Sequence, residues 1–202
     1  MRTEYSGEFD ETTLADNWLD QFATWFGDAM DAGLPEPNAM LLATASADGR
    51  PSARTVLLKG YDQRGFTFFT NYESRKGNDL AGNPRATLVF PWYHLKRQVI
   101  VSGSVAKVSR EETAEYFAVR PRGAQLGAWA SPQSSVIGSR ADLEQRLAEA
   151  ERRFGDGAIE PPPHWGGFRV EPDEVEFWQG RQNRLHDRLR YTADGKIERL
   201  AP

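Results

Sequence analysis

Short apolar segments separated by turn residues run through most of the chain, and they restrict its fold more than any other feature. Residues 39–45 and 51–59 flank the dipeptide Asp48-Gly49, which is typical of tight hairpin turns. Further segments follow at 66–70, 86–93, 97–109, 167–171, 174–178, 184–191 and 196–200. Short strands in such close succession favour antiparallel pairing, so we predict a mainly β fold, a small barrel with peripheral helices.

The spacing of apolar residues and the capping signals predict the helices that pack around this barrel. Apolar residues three or four apart from Leu14 to Met30 indicate an amphipathic helix that ends near Gly33. Three further helices are predicted from capping signals, at Ser74, at Ser109 (a capping box with Glu112, in a helix limited by Pro121) and at Ser139. No repeat or linker interrupts the chain, so we predict one domain over residues 1–202, with 1–12 as a flexible N-terminal segment.

Composition excludes several classes of function. A net charge of −4 argues against a nucleic-acid partner, because such a protein needs excess Lys and Arg. The absence of cysteine excludes thiolate chemistry, and the three scattered histidines predict no metal site. The sequence begins without a signal peptide and has no apolar run of membrane-spanning length, so we expect no membrane partner and a cytoplasmic location.

Two cationic clusters nevertheless interrupt the apolar pattern in the first half of the chain. Arg54 and Lys59 bound a predicted strand, where alternation places them on opposite faces, so they serve two anions or one lies beyond the strand end. Arg75 and Lys76 follow the cap Ser74, and positive side chains at that end oppose the helix dipole. A bound phosphate explains this cluster, and a basic surface turn is the alternative.

Two more clusters lie in the second half. Tyr116 and Arg120 are four residues apart on one predicted helix face and can converge on one group, and Gln133 and Ser134 add donors in the loop beyond. Residues 179–188, QGRQNRLHDR, follow directly after Trp178. If this stretch is a strand, alternation places Arg184, His186 and Arg188 on one face. That face is either a solvated edge or the wall of a site for a planar heteroaromatic ligand.

None of these clusters contains an activated serine, a carboxylate pair or a phosphate-binding glycine loop. The residues of the clusters suit the binding of planar phosphorylated molecules, and a cofactor is needed for the bond-breaking and bond-forming steps. The pattern therefore indicates a cofactor-dependent enzyme.

The clusters, in this order, resemble the pyridoxine/pyridoxamine 5′-phosphate oxidase family. The resemblance covers nearly everything from about residue 38 to the end, through RTVLLKGYD, FFTNYESRKGNDL, RQVIVSGSVAKVS, YFAVRPRGAQLGAWASPQSS and EFWQGRQNRLHDR. It implies an FMN-binding split β-barrel that works as a homodimer with FMN at the subunit interface. The implied activity is oxidation of pyridoxamine 5′-phosphate and pyridoxine 5′-phosphate to pyridoxal 5′-phosphate, by hydride transfer to the flavin, with O2 as acceptor and H2O2 as product.

The resemblance also assigns residues by position. The residues implied for FMN are Arg54, Thr55, Val56, Leu57, Leu58, Lys59, Phe69, Thr70, Arg75, Lys76, Gln98, Gln133, Ser134, Trp178 and Arg188. Those implied for the substrate are Arg2, Tyr5, Lys59, Tyr116, Arg120, Arg184 and His186, the last two as catalytic residues against the pyridine ring. Ala124 stands where many members have a serine that donates to the substrate phosphate.

Two other functions compete with this interpretation. One is a split-barrel flavin or deazaflavin oxidoreductase with another substrate. The other is a protein that binds FMN or pyridoxal phosphate without turnover.

Overall fold

Antiparallel strands form the centre of the structure, a computed structural model that describes residues 9–202. The elements in chain order are α1 (Trp18–Asp31), β1 (Ala39–Ala45), β2 (Pro51–Leu57), β3 (Gly60–Asp62), β4 (Gly65–Asn71), α2 (Arg75–Gly82), β5 (Arg85–Trp92), β6 (Arg97–Lys107), α3 (Arg110–Ala118), α4 (Arg122–Ala130), α5 (Arg140–Phe154), β7 (Trp165–Gln179), β8 (Asp187–Thr192) and β9 (Ile197–Arg199). This mainly β arrangement with helices around it confirms the predicted fold class.

The strands pair in the order β2-β1-β5-β6-β7-β4-β3, and β8 joins β7 and carries β9. The long strand β7 pairs with β4 through residues 165–170 and with β8 through 174–179, so it connects two parts of the curled sheet. Opposite Ser102 and Gly103 of β6, strand β7 contains a bulge with Asp173 as the extra residue, which bends the sheet there. A Cβ at Gly103 would lie 1.9 Å from the Glu171 carbonyl oxygen, so the close approach of the two strands requires glycine.

Aromatic side chains fill the main core between the sheet and α1. The Phe22 ring of α1 lies 4.8 Å from Phe66 and 5.0 Å from Phe90, measured between ring centres. A second, smaller core of Phe117, Leu126, Ala150, Ile159 and Trp165 joins helices α3, α4 and α5 to β7. The space between β2, β4 and these helices holds the site described below.

The capping predictions differ in their outcome. Ser74 caps α2 by accepting from the Gly77 amide, and Ser139 and Asp142 form a complete capping box at α5, as predicted. Ser109 accepts from the Glu112 amide, but the Glu112 carboxylate pairs with Arg169 at 2.6 Å instead of returning to the cap. A stronger charge partner from β7 thus replaces half of the predicted box.

Several predicted boundaries were wrong. Helix α1 begins at Trp18 rather than Leu14, because the Asn17 side chain caps the Asp20 amide. The predicted strands 167–171 and 174–178 are one strand, since a bulge at Asp173 of β7 lets its pairing with β6 continue past Pro172. Helix α4 was not predicted at all, because its two glycines disguise the helical pattern.

The predicted strand over residues 184–191 was wrong in its first part. Gln182–Arg184 form a 3-10 turn, and Asn183 and Arg184 adopt left-handed backbone angles with φ of 55° and 63°. Such angles cannot continue a strand, so β8 starts at Asp187. Arg184 and His186 therefore do not share a strand face with Arg188.

The segment predicted to be flexible, residues 1–12, is described only from residue 9. Phe9 is buried in the main core, with its ring centre 4.7 Å from that of Trp25. Phe9 is thus packed in the core, because burial of this aromatic ring outweighs the polarity around it, whereas Glu11 and Thr12 are exposed.

Candidate active site

A cavity of about 1010 Å³ opens between β2, β4 and the helices α2, α3 and α4. Many residues of the sequence-predicted site line it together: Arg54, Thr55, Val56, Leu57, Lys59, Phe69, Thr70, Arg75, Lys76, Tyr116, Arg120, Gln133 and Ser134. Ala124 also lines the cavity, from the first turn of α4. The fold therefore brings three of the four clusters of the sequence into one space.

The first cationic group of the cavity is formed by Arg54, Arg75 and Lys76, and we call it the α2 group. Lys76 is buried at the start of α2, and its Nζ lies 3.1 Å from Thr70 Oγ1, 3.2 Å from Ser74 Oγ and 3.3 Å from Gln133 Oε1. These acceptors are neutral oxygens. Burial, with a smaller contribution from Arg54, lowers the pKa of Lys76 to about 8.

Arg54 is held from behind by the sheet. Its Nη1 donates to the Leu42 carbonyl at 3.1 Å and to Thr44 Oγ1 at 2.7 Å, and its Nη2 donates to Ser52 Oγ. The carboxylate of Asp79 lies 3.7 Å from Nη2. Burial lowers the pKa of Arg54, although Asp79 opposes this shift. The guanidinium is therefore fixed in place at the cavity wall.

The second cationic group is formed by Lys59, Tyr116 and Arg120, and we call it the α3 group. Arg120 lies just beyond the end of α3, with its guanidinium carbon 4.4 Å from the centre of the Trp165 ring. Its Nη1 is buried and has no hydrogen-bond partner within residues 9–202. Burial lowers the pKa of Arg120, and Tyr116 acts in the opposite direction. A buried guanidinium nitrogen without an acceptor favours an anionic ligand.

Strand β2 ends at Leu57, so Lys59 lies beyond the strand end. This was one of the two predicted alternatives, the other being that Arg54 and Lys59 lie on opposite faces of one strand. The Nζ of Lys59 is 5.9 Å from the centre of the Tyr116 ring. Tyr116 and Arg120 do not share a helix, because α3 ends at Ala118, yet both line the cavity.

Stacked aromatic rings line the cavity at the α3 group. The Phe69 ring stacks on Tyr116 at 4.1 Å and on Trp165 at 5.5 Å between ring centres.

Strand β2 stands first in the sheet order, and in the part of the chain that the structure describes it pairs with β1 alone. Half of its backbone amides and carbonyls therefore face away from the sheet, and Thr55, Val56 and Leu57 present this edge at the cavity.

Other predicted residues lie elsewhere in the single chain. Leu58 is buried in the core, and its amide donates to the Asn38 carbonyl at 2.8 Å. Gln98, Trp178 and Arg188 are cross-strand neighbours on β6, β7 and β8. The His186 ring lies 4.7 Å from that of Trp178, and we call these four residues the β8 group.

The β8 group does not line the cavity of its own chain, and neither does Arg184. Arg188 instead pairs with Glu176 at 2.7 Å. Arg2 and Tyr5 lie outside the described residues. Within residues 9–202, no three His, Cys, Asp or Glu side chains form a group that could hold a metal ion.

Sequence reasoning missed several residues of the cavity wall. Ser52 lies two residues before Arg54 on β2, so strand alternation could have identified it. Asn71 and Trp165 reach the cavity through the pairing of β4 with β7, for which the local sequence carries no signal.

Comparison with protein-family models gives two matches. Residues 26–154 match the family described as "Pyridoxamine 5'-phosphate oxidase". Residues 165–202 match the "Pyridoxine 5'-phosphate oxidase C-terminal dimerisation region". A curated pyridoxine/pyridoxamine 5′-phosphate oxidase of Frankia alni is 60% identical, over 98% of this chain and 86% of its own length. One of Salinibacter ruber is 58% identical, over 100% of this chain and 97% of its own length.

Solved structures show the same fold. PhzG from Burkholderia lata 383, solved in complex with tetrahydrophenazine-1-carboxylic acid, matches with a TM-score of 0.92 and 32% identity over 99% of this chain and 100% of its own. A pyridoxamine 5′-phosphate oxidase-related, FMN-binding protein from Nostoc punctiforme matches with a TM-score of 0.71 and 19% identity over 94% of this chain and 100% of its own. These likenesses confirm the split-barrel fold. None of the helices within residues 9–202 has the length and apolar character needed to cross a membrane.

Proposed function

Because the chain belongs to the pyridoxine/pyridoxamine 5′-phosphate oxidase family, and is thus an oxidoreductase, we propose that it oxidises pyridoxamine 5′-phosphate and pyridoxine 5′-phosphate to pyridoxal 5′-phosphate. The cofactor is FMN, the electron acceptor is O2, and the products include H2O2 and, from the amine, NH3. The observation that carries this proposal is a single cavity with two separate cationic groups.

The two cationic groups are held by different parts of the structure, which supports two phosphate ligands rather than one. The sheet fixes the Arg54 guanidinium of the α2 group, whereas Lys59 lies beyond the end of β2 with its Nζ 5.9 Å from the centre of the Tyr116 ring. FMN and the B6 substrate each carry one phosphate, so the cavity provides one cationic group for each of them.

The α2 group suits the phosphate of FMN. It offers fixed guanidinium donors, a buried ammonium and the N-terminus of α2. The free edge of β2 supplies backbone donors and acceptors for the flavin ring, and Gln133 and Ser134 close the same side. FMN held here by these residues would supply the redox chemistry, as the acceptor of a hydride from C4′ of the substrate and the donor of electrons to O2.

The α3 group suits the phosphate of the substrate. Lys59 and Arg120 supply charge, the Tyr116 hydroxyl supplies a further donor, and the unpartnered Nη1 of Arg120 requires an acceptor. Holding the substrate by its phosphate fixes the pyridine ring along the aromatic wall and orients C4′ toward the flavin edge.

The β8 group completes the site from a second subunit. Its residues Trp178, His186 and Arg188 all fall within the matched dimerisation region, residues 165–202, and they lie away from the cavity of their own chain. In the homodimer, Gln98, Trp178 and Arg188 contact the FMN of the partner subunit. Arg184 and His186 face the pyridine ring there.

The backbone of Arg184 supports this catalytic role. Left-handed angles cost a non-glycine residue about 1–3 kcal/mol, and such strain concentrates at functional sites. Asn183 and Arg184 adopt them consecutively, with φ of 55° and 63°, in the turn that carries the two catalytic candidates.

An aerobic assay of the purified protein tests the proposal. The protein is loaded with FMN and given each substrate, and pyridoxal 5′-phosphate and H2O2 are measured together. We expect both products in equal amounts from either substrate. Stoichiometric FMN binding without either product would instead support the non-catalytic alternative, and failure to bind FMN would support a different cofactor.

A further inference from the structure

A buried carboxylate lies directly behind the α2 group. Asp79 on α2 is 8% exposed and does not line the cavity. It accepts a hydrogen bond from Thr44 Oγ1 at 2.6 Å and one from Ser52 Oγ at 2.7 Å. The same two hydroxyl oxygens accept from the Arg54 guanidinium, so two parallel relays connect Arg54 to Asp79.

The protons of these relays can point in only one direction. A guanidinium only donates, so each hydroxyl must accept from Arg54 and use its own proton elsewhere. The ionised carboxylate of Asp79 only accepts, so it takes both hydroxyl protons. Burial raises the pKa of Asp79, but the hydrogen bonds from Thr44 and Ser52, together with the charges of Arg54 and Arg75, outweigh burial and hold the pKa below its usual value. The network is therefore fully ordered from Arg54 to Asp79.

Direct attraction for a ligand does not explain this carboxylate. Arg54, Arg75 and Lys76 carry three positive charges, and Asp79 reduces their sum to +2. A negative charge close to a phosphate site weakens the attraction of that site for its anion. The geometry, however, ties Asp79 to the orientation of Arg54.

We infer that Asp79 is a positioning residue for the cofactor: through Thr44 and Ser52 it holds Arg54 in the orientation that binds the FMN phosphate. This inference rests on the proposed function, which assigns the α2 group to FMN. It extends the site to two residues outside the cavity wall, Asp79 and Thr44.

The charge of Asp79 and its positioning of Arg54 predict opposite effects of Asp79→Asn on FMN affinity. Removing the carboxylate raises the charge of the α2 group, which by itself strengthens FMN binding. Thr44 and Ser52, however, both donate to the same oxygen, Oδ2 of Asp79, and the amide oxygen of Asn is an uncharged and weaker acceptor at that position, so Arg54 is held less firmly. Thr44→Val removes one relay at nearly constant shape and leaves the charge unchanged. Positioning requires that both variants weaken FMN binding.

The experiment measures dissociation constants of FMN and of riboflavin with the FMN-free protein, by quenching of flavin fluorescence. Riboflavin lacks the phosphate, so its affinity reports the flavin site alone. We expect FMN to bind about tenfold more weakly to Asp79→Asn and to Thr44→Val, the equivalent of one hydrogen bond to a charged group, with riboflavin unchanged.

Matched controls make the comparison specific. Asp48→Asn removes an exposed carboxylate in the hairpin beside Thr44, and Thr87→Val removes a threonine hydroxyl that pairs with Ser102 at 3.1 Å on the neighbouring strands. Both should bind FMN like the parent protein. Thermal unfolding of each FMN-free variant verifies folding, and Thr44→Val decides the outcome alone if Asp79→Asn does not fold.

The outcomes separate this inference from the proposed function. Unchanged or tighter FMN binding by either folded variant overturns the positioning role and leaves the proposed function intact. An equal loss of riboflavin affinity also overturns it, because the effect then does not act through the phosphate. If the parent protein itself shows no saturable FMN binding, the proposed function fails first.

Discussion

Individual side chains decide where the cavity attracts anions. Lys76 and Arg120 are both partly or fully removed from water, and each lacks the carboxylate partner that a structural ion pair would provide among the described residues. Burying a charge in this way is costly unless a ligand completes its coordination. The two residues are therefore the most direct probes of the two proposed phosphate sites.

Lys76 makes FMN binding dependent on pH. Its pKa in the ligand-free protein is lowered to about 8, so it loses its charge above that pH. A bound phosphate dianion stabilises the ammonium and raises this pKa, so binding above pH 8 takes up a proton. We expect FMN affinity to be nearly constant from pH 7 to 8 and then to fall by up to about tenfold per pH unit.

The measurement is the dissociation constant of FMN across pH 7 to 9.5, with riboflavin as the control for titration of the flavin ring. Lys76→Met should bind FMN weakly and without this pH dependence. If Lys76→Met retains the slope of the parent protein, another group is responsible.

Substitution of Arg120 tests whether the α3 group binds the substrate phosphate. Arg120→Ala removes a charge-assisted contact worth about 1.5–3 kcal/mol, so we expect KM for pyridoxamine 5′-phosphate to rise about 10- to 100-fold. FMN affinity should stay unchanged, because the α2 group is intact. Steady-state kinetics and FMN titration of the same preparation provide the check. Loss of FMN from Arg120→Ala would mean that the two phosphates have been assigned the wrong way round.

Single elements account for the shape of the site. Strand β2 is free on one edge among the described residues and can offer its backbone to a ligand. A bulge at Asp173 lets β7 continue past Pro172 and pair with β8. The turn between β7 and β8 then sets the positions of Arg184 and His186 through two left-handed residues. Such strain is expected of a turn that the proposed function places at the active site.

Substitutions at Arg184 separate strain from chemistry. Arg184→Gly relieves the left-handed backbone, whereas Arg184→Ala retains it, and both remove the guanidinium. We expect Arg184→Gly to be more stable than Arg184→Ala by about 1 kcal/mol, with an equal loss of kcat/KM in both. Denaturant unfolding and steady-state kinetics test this. Near-parental kcat/KM in both variants would remove Arg184 from the active site.

At the scale of the whole molecule, the proposed site is divided between two places in one chain. The cavity holds the α2 and α3 groups, and the β8 group lies outside it, with Trp178, His186 and Arg188 in the matched dimerisation region. The proposed homodimer accounts for this division, because each chain can then supply its β8 group to the other.

We therefore expect FMN affinity to depend on assembly. Dilution below the dimer dissociation constant should release FMN, because each cavity loses the partner's share of the site. Sedimentation velocity and flavin fluorescence, measured over the same concentration series, should change together. A monomer with full FMN occupancy at any concentration would refute the shared site.

The sequence alone determined those features that depend on neighbours along the chain. The turn at Asp48-Gly49, the cap at Ser74 and the capping box of Ser139 with Asp142 each involve residues a few positions apart, and all three are present. The family resemblance likewise identified most of the cavity residues, because short motifs such as RTVLLK and SRKG contain them.

Only the tertiary structure decided which distant residues meet. Asp79 lies on α2, and Thr44 and Ser52 lie on paired strands, so no local pattern relates the carboxylate to Arg54. The left-handed turn at Arg184 also contradicts the local alternation, which by itself indicates a strand. In both cases the reason is the same: pairing between strands and packing of helices on them bring together groups whose separation along the chain carries no signal of their contact.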